Sequence, residues 1–179
     1  MNLWKRTAIC AAVMMMSAAV MQSRPKSLGV VQSFRGFMVS YEHFRSEDCF
    51  ISAETGVLMT EMFLGQMKTP GFAAGLGWNF VFFRKDIEEY ARLRLYAGPG
   101  LSAGYGTDYR NKGQYGPFFG IFGRLGVECE FARGLTLSAG ITPSLGAHVV
   151  ILNESVKMKL YKNGLVYGLV PEIGIKYNF

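Results

Sequence analysis

Cysteine and histidine are nearly absent from this 179-residue chain: there are three Cys (Cys10, Cys49, Cys129) and two His (His43, His148). Such a set holds too few thiols for the disulfide framework of a small secreted domain and no His/Cys spacing for a metal. Neither a redox nor a zinc role is supported, and no cofactor is implied. Dense Lys/Arg runs are missing too, which argues against a nucleic-acid surface. So are helical periods and, past residue 20, any apolar run long enough to cross a bilayer as a helix. If the chain enters a membrane after its N-terminal segment, it enters as strands.

That N-terminal segment has Lys5 and Arg6 ahead of an apolar run, Thr7 to Val20, closing on small residues at Ser17 and Ala19 before polar Gln22 and Ser23. The pattern is that of a cleavable signal peptide, and the run is short for a spanning helix. Residues 1–22 are therefore expected to be removed, leaving residues 23–179 as one domain, with 17 basic against 13 acidic residues once Lys5 and Arg6 are gone.

In the mature part, apolar residues recur at every second position, the period of strands with two different faces. Leu165–Phe179 places Leu165, Tyr167, Leu169, Ile173, Ile175, Tyr177 and Phe179 against Gly168, Glu172, Gly174, Lys176 and Asn178. Leu135–Ile151 alternates over its whole length, and so do Pro117–Phe131, Tyr90–Tyr105 and Phe72–Phe82, with Cys49–Thr60 and Gly36–Phe44 following more loosely. That makes seven strands. Chain ends on one side of a membrane require an even number, so an eighth is expected in Lys26–Ser33, joined to Gly36–Phe44 by a tight turn at Phe34–Gly36. Short inner turns then fall at Phe44–Asp48, Arg84–Glu89 and Ala132–Gly134, and longer outer loops at Phe63–Pro70, Gly106–Gly116 and Leu152–Gly164.

A soluble barrel with its apolar face inside would show the same alternation, so the polar face decides. It is rich in Gly, Ser and Thr with few charges, which suits the narrow inside of an eight-stranded barrel better than a water-facing exterior. Aromatics collect at the strand ends of the apolar face: Tyr41, Phe80, Phe82, Phe131, Tyr177 and Phe179 at the inner side, Phe37, Phe72, Tyr105, Phe119 and Tyr167 at the outer. Two interfacial girdles are expected. The fold class is thus all-β: an antiparallel up-and-down eight-stranded transmembrane β-barrel preceded by a cleavable signal peptide.

The segments Leu95–Gly106 (LYAGPGLSAGYG), Leu160–Leu165 (LYKNGL) and Pro171–Phe179 (PEIGIKYNF) resemble small eight-stranded bacterial outer-membrane barrels of the OmpA/OmpX-like kind, in particular the Bacteroidetes-type family. The resemblance covers most of the mature chain and implies a Gram-negative outer-membrane location. It also implies that Ile175, Tyr177 and terminal Phe179 form the signal read by the outer-membrane assembly machinery.

The inward face collects Glu42, Glu54, Glu128, Glu130 and Glu172 with Arg92, Arg94, Arg124 and Lys176. Pairing across Gly106–Gly116 sets Arg92 opposite Glu130 and Arg94 opposite Glu128. Buried charges must be paired, so a salt-bridged plug is expected rather than an ion path. The Gly98-Pro99-Gly100 run, with no helix behind it, suits strand bending or close packing rather than phosphate binding. Acyl chemistry of the lipid A deacylase or acyltransferase type, for which barrels of this size offer a precedent, needs a nucleophile, base and orienting group. Only His148, with Ser144 or Ser155, is available at the outer end. A non-enzymatic structural or surface-interaction role is therefore expected, with a lipid-modifying enzyme and a narrow pore or transport-complex subunit as alternatives. The outer loops carry Arg110, Lys112, Lys157, Lys159 and Lys162 among Tyr109 and Tyr161, a mixture suited to lipopolysaccharide phosphates. Expected partners are that lipid and the assembly machinery, with room for a further membrane protein and none for nucleic acid.

Overall fold

The computed structural model describes residues 25–33, 35–59, 70–87, 91–107, 115–131, 134–152, 155–163 and 171–179. The expected signal peptide lies outside these residues. Ten strand segments occur: β1 (Lys26–Ser33), β2 (Gly36–Ser46), β3 (Cys49–Leu58), β4 (Gly71–Ile87), β5 (Ala91–Thr107), β6 (Tyr115–Phe131), β7 (Leu135–Ile141), β8 (Ser144–Leu152), β9 (Ser155–Asn163) and β10 (Pro171–Asn178).

Every neighbouring pair is antiparallel, and the ring β1-β2-β3-β4-β5-β6-β7-β10 closes on itself. β1 and β10 seal it, from Ser27 opposite Asn178 to Ser33 opposite Glu172. Beyond them, Lys26 N donates to the Phe179 carbonyl at 3.1 Å and Phe179 N to the Lys26 carbonyl at 2.8 Å. Closure leaves no open edge around the ring, which is the condition for strands to cross hydrocarbon with their backbone bonds satisfied.

Strand seven, expected as one run, is split at Thr142–Pro143. Pro143 has no N–H to give a ladder, but its carbonyl accepts from Gly123 N at 3.0 Å. The register against β6 is the same on both sides of the break, Leu125 with Ile141 and Phe122 with Ser144, so β7 and β8 act as one strand. The expected outer loop Leu152–Gly164 is a larger departure. Its residues Ser155–Asn163 form β9, paired with β8 from Leu152↔Ser155 to Ser144↔Asn163. Val156, Met158 and Leu160 there alternate with Lys157 and Lys159, a strand pattern that lysine content disguised. β9 and β10 both pair with the β7–β8 strand on the side away from β6, and residues 164–170 between them lie outside the described residues. The expected inner turn Arg84–Glu89 is shorter too, because the β4–β5 ladder continues to Ile87↔Ala91. A bulge between Val81 and Phe83 turns both Phe82 and Phe83 outward, as an extra residue in one strand must.

The two faces are inverted relative to a water-soluble barrel. Ser40, Asn79 and Glu128 are 0% exposed, whereas Phe72, Leu101 and Ile173 are 59%, 64% and 67% exposed. Among the described residues 28 large hydrophobic side chains are exposed. At roughly 1.5–3 kcal/mol for full burial of each, leaving them in water would forfeit tens of kcal/mol, more than the 5–15 kcal/mol of net stability typical of a folded domain. The solvent of this surface is hydrocarbon. Spanning a bilayer takes about 9–11 tilted residues, so the 17-residue strands β4, β5 and β6 run well past its edges.

Large rings also point inward, where glycines make room for them. Phe122 packs so closely on β5 that a Cβ at Gly100 would overlap its ring and lie 2.6 Å from the Leu76 carbonyl oxygen; a Cβ at Gly126 would lie 2.5 Å from the Tyr96 ring. This is the close packing expected of the Gly98–Gly100 run. Gly123, by contrast, faces open space. Gly100→Val is expected to lower the stability of the refolded barrel by about 1–3 kcal/mol, read as a fall in urea midpoint at unchanged slope, while Gly123→Ala leaves it unchanged or slightly raised. Equal effects at the two positions would show that the ring socket is not a packing constraint.

Candidate functional site

The barrel's interior is its one concentration of buried charge among the described residues. Glu128 of β6 stands at its centre: its Oε2 accepts from Arg94 Nη2 at 3.0 Å, and its Oε1 lies 2.6 Å from Lys176 Nζ. Lys176 of β10 also reaches Glu42 Oε1 of β2 at 2.5 Å, and Glu42 Oε2 accepts from the Ser27 hydroxyl at 2.8 Å. Arg94 Nη1 lies 3.8 Å from Glu130 Oε2, whose Oε1 accepts from Asn178 Nδ2 at 2.8 Å. Arg94 with Glu128 and Ser27 with Glu42 are cross-strand neighbours in the ladders, and Lys176 ties those pairs together by reaching from β10 to both β6 and β2. Aromatic faces line the same space, with Arg94 above Phe44 at 4.8 Å and Lys176 above Tyr96 at 5.9 Å, while Phe50 packs between Phe44 and Tyr96.

A second cluster sits toward the end away from the chain termini. Arg124 of β6 reaches across to Glu54 of β3 at 2.5 Å and to the Ser52 hydroxyl at 3.2 Å, and Asn79 donates to that same hydroxyl oxygen at 3.0 Å. Arg124 Nε also lies 3.4 Å from Thr142 Oγ1, which donates to Glu172 at 2.8 Å. A cavity of about 50 Å³ opens beside it, lined in part by Glu54, Phe118, Arg124, Ser144 and Glu172. That is room for a few waters.

Arg92 is not part of the network. The ladder does set it opposite Glu130, and Arg94 opposite Glu128, but the Arg92 side chain is half exposed at the rim and pairs with Asp86 at 2.7 Å. Arg84 makes a similar rim pair with Glu47 at 2.9 Å and Asp48 at 3.3 Å, and bonds the Glu47 carbonyl. Water screens such pairs, so they add little. These rim partners and the inward rings Phe44, Phe50, Tyr96, Phe118 and Phe122 were not singled out from sequence. The available signal was a large ring sharing the small-residue face with glycines on the neighbouring strand.

His148 is fully buried, with Nε2 3.0 Å from the Gly106 carbonyl oxygen. A carbonyl only accepts, so this nitrogen carries the proton. Ser144 is four residues away along the same strand, about 13 Å at ~3.3 Å per residue, and its buried hydroxyl has no hydrogen-bond partner among the described residues. His43 sits on β2 between Lys26 and Ile51 in the ladders. Of the surface positions, Lys157 and Lys159 lie on β9 opposite Val150 and His148, and Tyr161 and Lys162 opposite Gly146 and Leu145. Tyr109, Arg110 and Lys112 lie outside the described residues. Ile175, Tyr177 and Phe179 face outward, all more than half exposed.

A closed ring of eight antiparallel strands, apolar outside and ion-paired inside, defines a membrane-spanning β-barrel. No protein-family model matches the chain, and no curated protein sequence does. Among solved structures the chain is similar to several outer-membrane and surface proteins. One is the N-terminal β-barrel domain of OprF from Pseudomonas aeruginosa, at 13% identity over 87% of this chain and 96% of that one, TM-score 0.49. Another is a major outer membrane protein of Thermus thermophilus, at 11% identity over 88% and 100%, TM-score 0.48. A third is Neisserial surface protein A, at 14% over 87% and 94%, TM-score 0.42.

Lys176 serves two buried carboxylates, whereas Glu128 keeps one cation if Arg94 is lost. Lys176→Met is therefore expected to cost about 3–5 kcal/mol and Arg94→Met less, with Lys176→Met/Glu42→Gln recovering part of the loss in urea unfolding of the refolded barrel. Strict additivity of Lys176→Met and Glu42→Gln would show that the two groups are not coupled.

Proposed function

We propose that this chain is an integral outer-membrane barrel with a structural or surface-interaction role, delivered by its signal peptide and closed to ion flow by its ion-paired interior. The observation that carries the reading is the burial of Glu42, Glu128 and Lys176 in one continuous ion-paired chain inside a wall whose outer side is apolar. Eight strands leave an interior that side chains can fill, and here charges and rings fill it. The termini lie at one end of the barrel, where Lys26 and Phe179 exchange backbone bonds. A chain delivered from the periplasm sets that end inward and the β8–β9 hairpin outward. Ile175, Tyr177 and Phe179 then present the terminal aromatic pattern to the assembly machinery.

A non-enzymatic role fits the one histidine that sequence pointed to. With Nε2 of His148 donating to a backbone carbonyl, Nδ1 is the basic nitrogen; it is buried with no hydrogen-bond partner among the described residues, whereas general-base catalysis needs a nucleophile within about 3 Å of it. Ser144 is too far along the strand for that.

In planar bilayers the purified barrel is expected to give no stepwise conductance. On intact cells an impermeant thiol reagent should label a cysteine placed at Lys157 and should reach one at Asp86 only after the outer membrane is permeabilised. Reversed labelling would overturn the orientation, and reproducible single-channel steps the closed interior.

Lys157 and Lys159 on one face of β9, and Lys162 on the other, favour contact with the phosphates of lipopolysaccharide. Replacing all three with Gln is expected to weaken salt-sensitive co-purification of that lipid, because salt screens attraction between lysines and phosphates. Unchanged retention across a salt series would count against this partner.

A further inference from the structure

At the end of the barrel that holds the termini, one cross-strand row runs Lys26–His43–Ile51–Trp78 through β1, β2, β3 and β4. All four lie on the outward face, because their chain neighbours Ser27, Glu42, Phe50 and Asn79 are buried in the lumen and successive side chains of a strand alternate. Tyr177, Leu28 and Tyr41 form the next row toward the middle of the wall. The Lys26 row therefore lies at the level of the aromatic girdle, where interfacial rings sit among lipid head groups.

Both ends of this row are cationic. Lys26 is half-buried, and its ammonium makes no ion pair or hydrogen bond among the described residues. Arg45 reaches the other end because it is the extra residue of a bulge: the β2–β3 register shifts between Phe44 and Ser46, and a bulge re-aims the side chain it adds. The guanidinium carbon lies 5.6 Å from the centre of the Trp78 ring, and that ring stacks on Phe80 at 6.5 Å. No acidic side chain among the described residues shares this face. Glu42 points into the lumen, and Glu47 and Asp48 of the adjoining turn pair with Arg84. Basic residues beside an anionic lipid surface are each attracted to it. A soluble anion would be drawn to the same charges, but this row lies along the outward wall between rings, where lipid is the neighbour.

We infer that Lys26 and Arg45, at the two ends of the row that Trp78 closes, form a binding site for the phosphate head group of an anionic phospholipid in the leaflet at this end of the barrel. The inference rests on the membrane-spanning reading. Trp78 reports on the site directly, since Trp4 is the only other tryptophan of the chain. The test is quenching of Trp78 fluorescence in a chain carrying Trp4→Phe, reconstituted in phosphatidylcholine vesicles that contain a small fraction of brominated phosphatidylglycerol or, as each variant's own reference, brominated phosphatidylcholine. Phosphatidylglycerol is expected to quench more at equal fraction, with a preference that falls as salt rises. Lys26→Gln and Arg45→Gln should each lower that preference roughly fivefold, the worth of one basic residue beside an anionic lipid surface. Lys85 also faces outward, opposite Leu93, but stands roughly 20 Å further along β4 at ~3.3 Å per residue. That is twice the roughly 10 Å over which charge acts at about 0.1 M salt, so Lys85→Gln should leave the preference unchanged. Inorganic phosphate added at constant ionic strength should not displace the lipid. Heat-modifiable gel migration reports insertion separately. Equal quenching by the two lipids, a preference that survives both substitutions, an equal loss in Lys85→Gln, or displacement by inorganic phosphate overturns the lipid site alone; a parent chain that fails to insert overturns the membrane reading with it.

Discussion

Glu128 is fully buried at the centre of the lumen, and a carboxylate so placed persists only where cations replace the water it has lost. Arg94 and Lys176 meet that requirement from two different strands, and Lys176 in turn satisfies Glu42 from a third. The Arg94 contact lies along the β5–β6 ladder, whereas those of Lys176 reach past an intervening strand on either side, to β6 and to β2, so they hold only if strands distant in sequence arrive in one register. A slip by a single residue would turn Glu128 to the lipid and Cys129 to the inside, because the side-chain period of a strand is two. Buried ion pairs of this kind are weak contributors to stability compared with well-packed apolar groups, but breaking one is costly. Their effect here is to fix which residues face each other in a wall whose outer surface, wetted by lipid, discriminates poorly between registers that differ by two residues.

Filling the lumen with charges alone would leave gaps, and the rings close them. Phe122, Tyr96 and Phe118 lie over glycines of neighbouring strands. Arg124 and Lys176 extend over the aromatic faces of Phe122 and Tyr96, a contact worth most where water is excluded. Glycine in a strand interior weakens it in isolation. In this barrel the loss is offset by the ring that each vacancy admits, so the glycine-rich inner face and the large inward rings are one arrangement seen from two strands.

The two ends of the barrel differ in kind. At the end that holds the termini, Arg84 and Arg92 pair with acids at the water's edge, and the strands of β4 and β5 run on as a paired ribbon. At the other end β8 and β9 form a hairpin whose outward residues Val156, Met158 and Leu160 are among the most exposed apolar side chains of the molecule, while Lys157 and Lys159 take the alternate positions. A strand that is apolar on one face and carries lysines on the other suits a boundary between an apolar and a polar medium.

Much of this was legible in the residues themselves. The period-two pattern established strands, their antiparallel succession and the side that faces lipid, because bilayer and lumen impose opposite demands on alternate positions; even β1, with its weak pattern, falls at Lys26–Ser33 as parity required. Cross-strand arithmetic over Gly106–Gly116 placed Arg94 opposite Glu128. What that arithmetic could not reach is any contact through the lumen. Lys176 with Glu42, Arg124 with Glu54 and Phe122 in its glycine socket depend on how the sheet curls and closes, and curling brings together strands that no local pattern relates. Arg92 went astray for the same reason: opposite Glu130 in the ladder, it lies at a rim where Asp86 is nearer. β9 was hidden because Lys157, Lys159 and Lys162 among its apolar residues look like the lysines of a solvated loop. Sequence alone determined which residues face inward, since the solvent on each side dictates their polarity; only the closed tertiary structure decided which inward residues are partners, since that depends on distances across a barrel that exists once all eight strands have met.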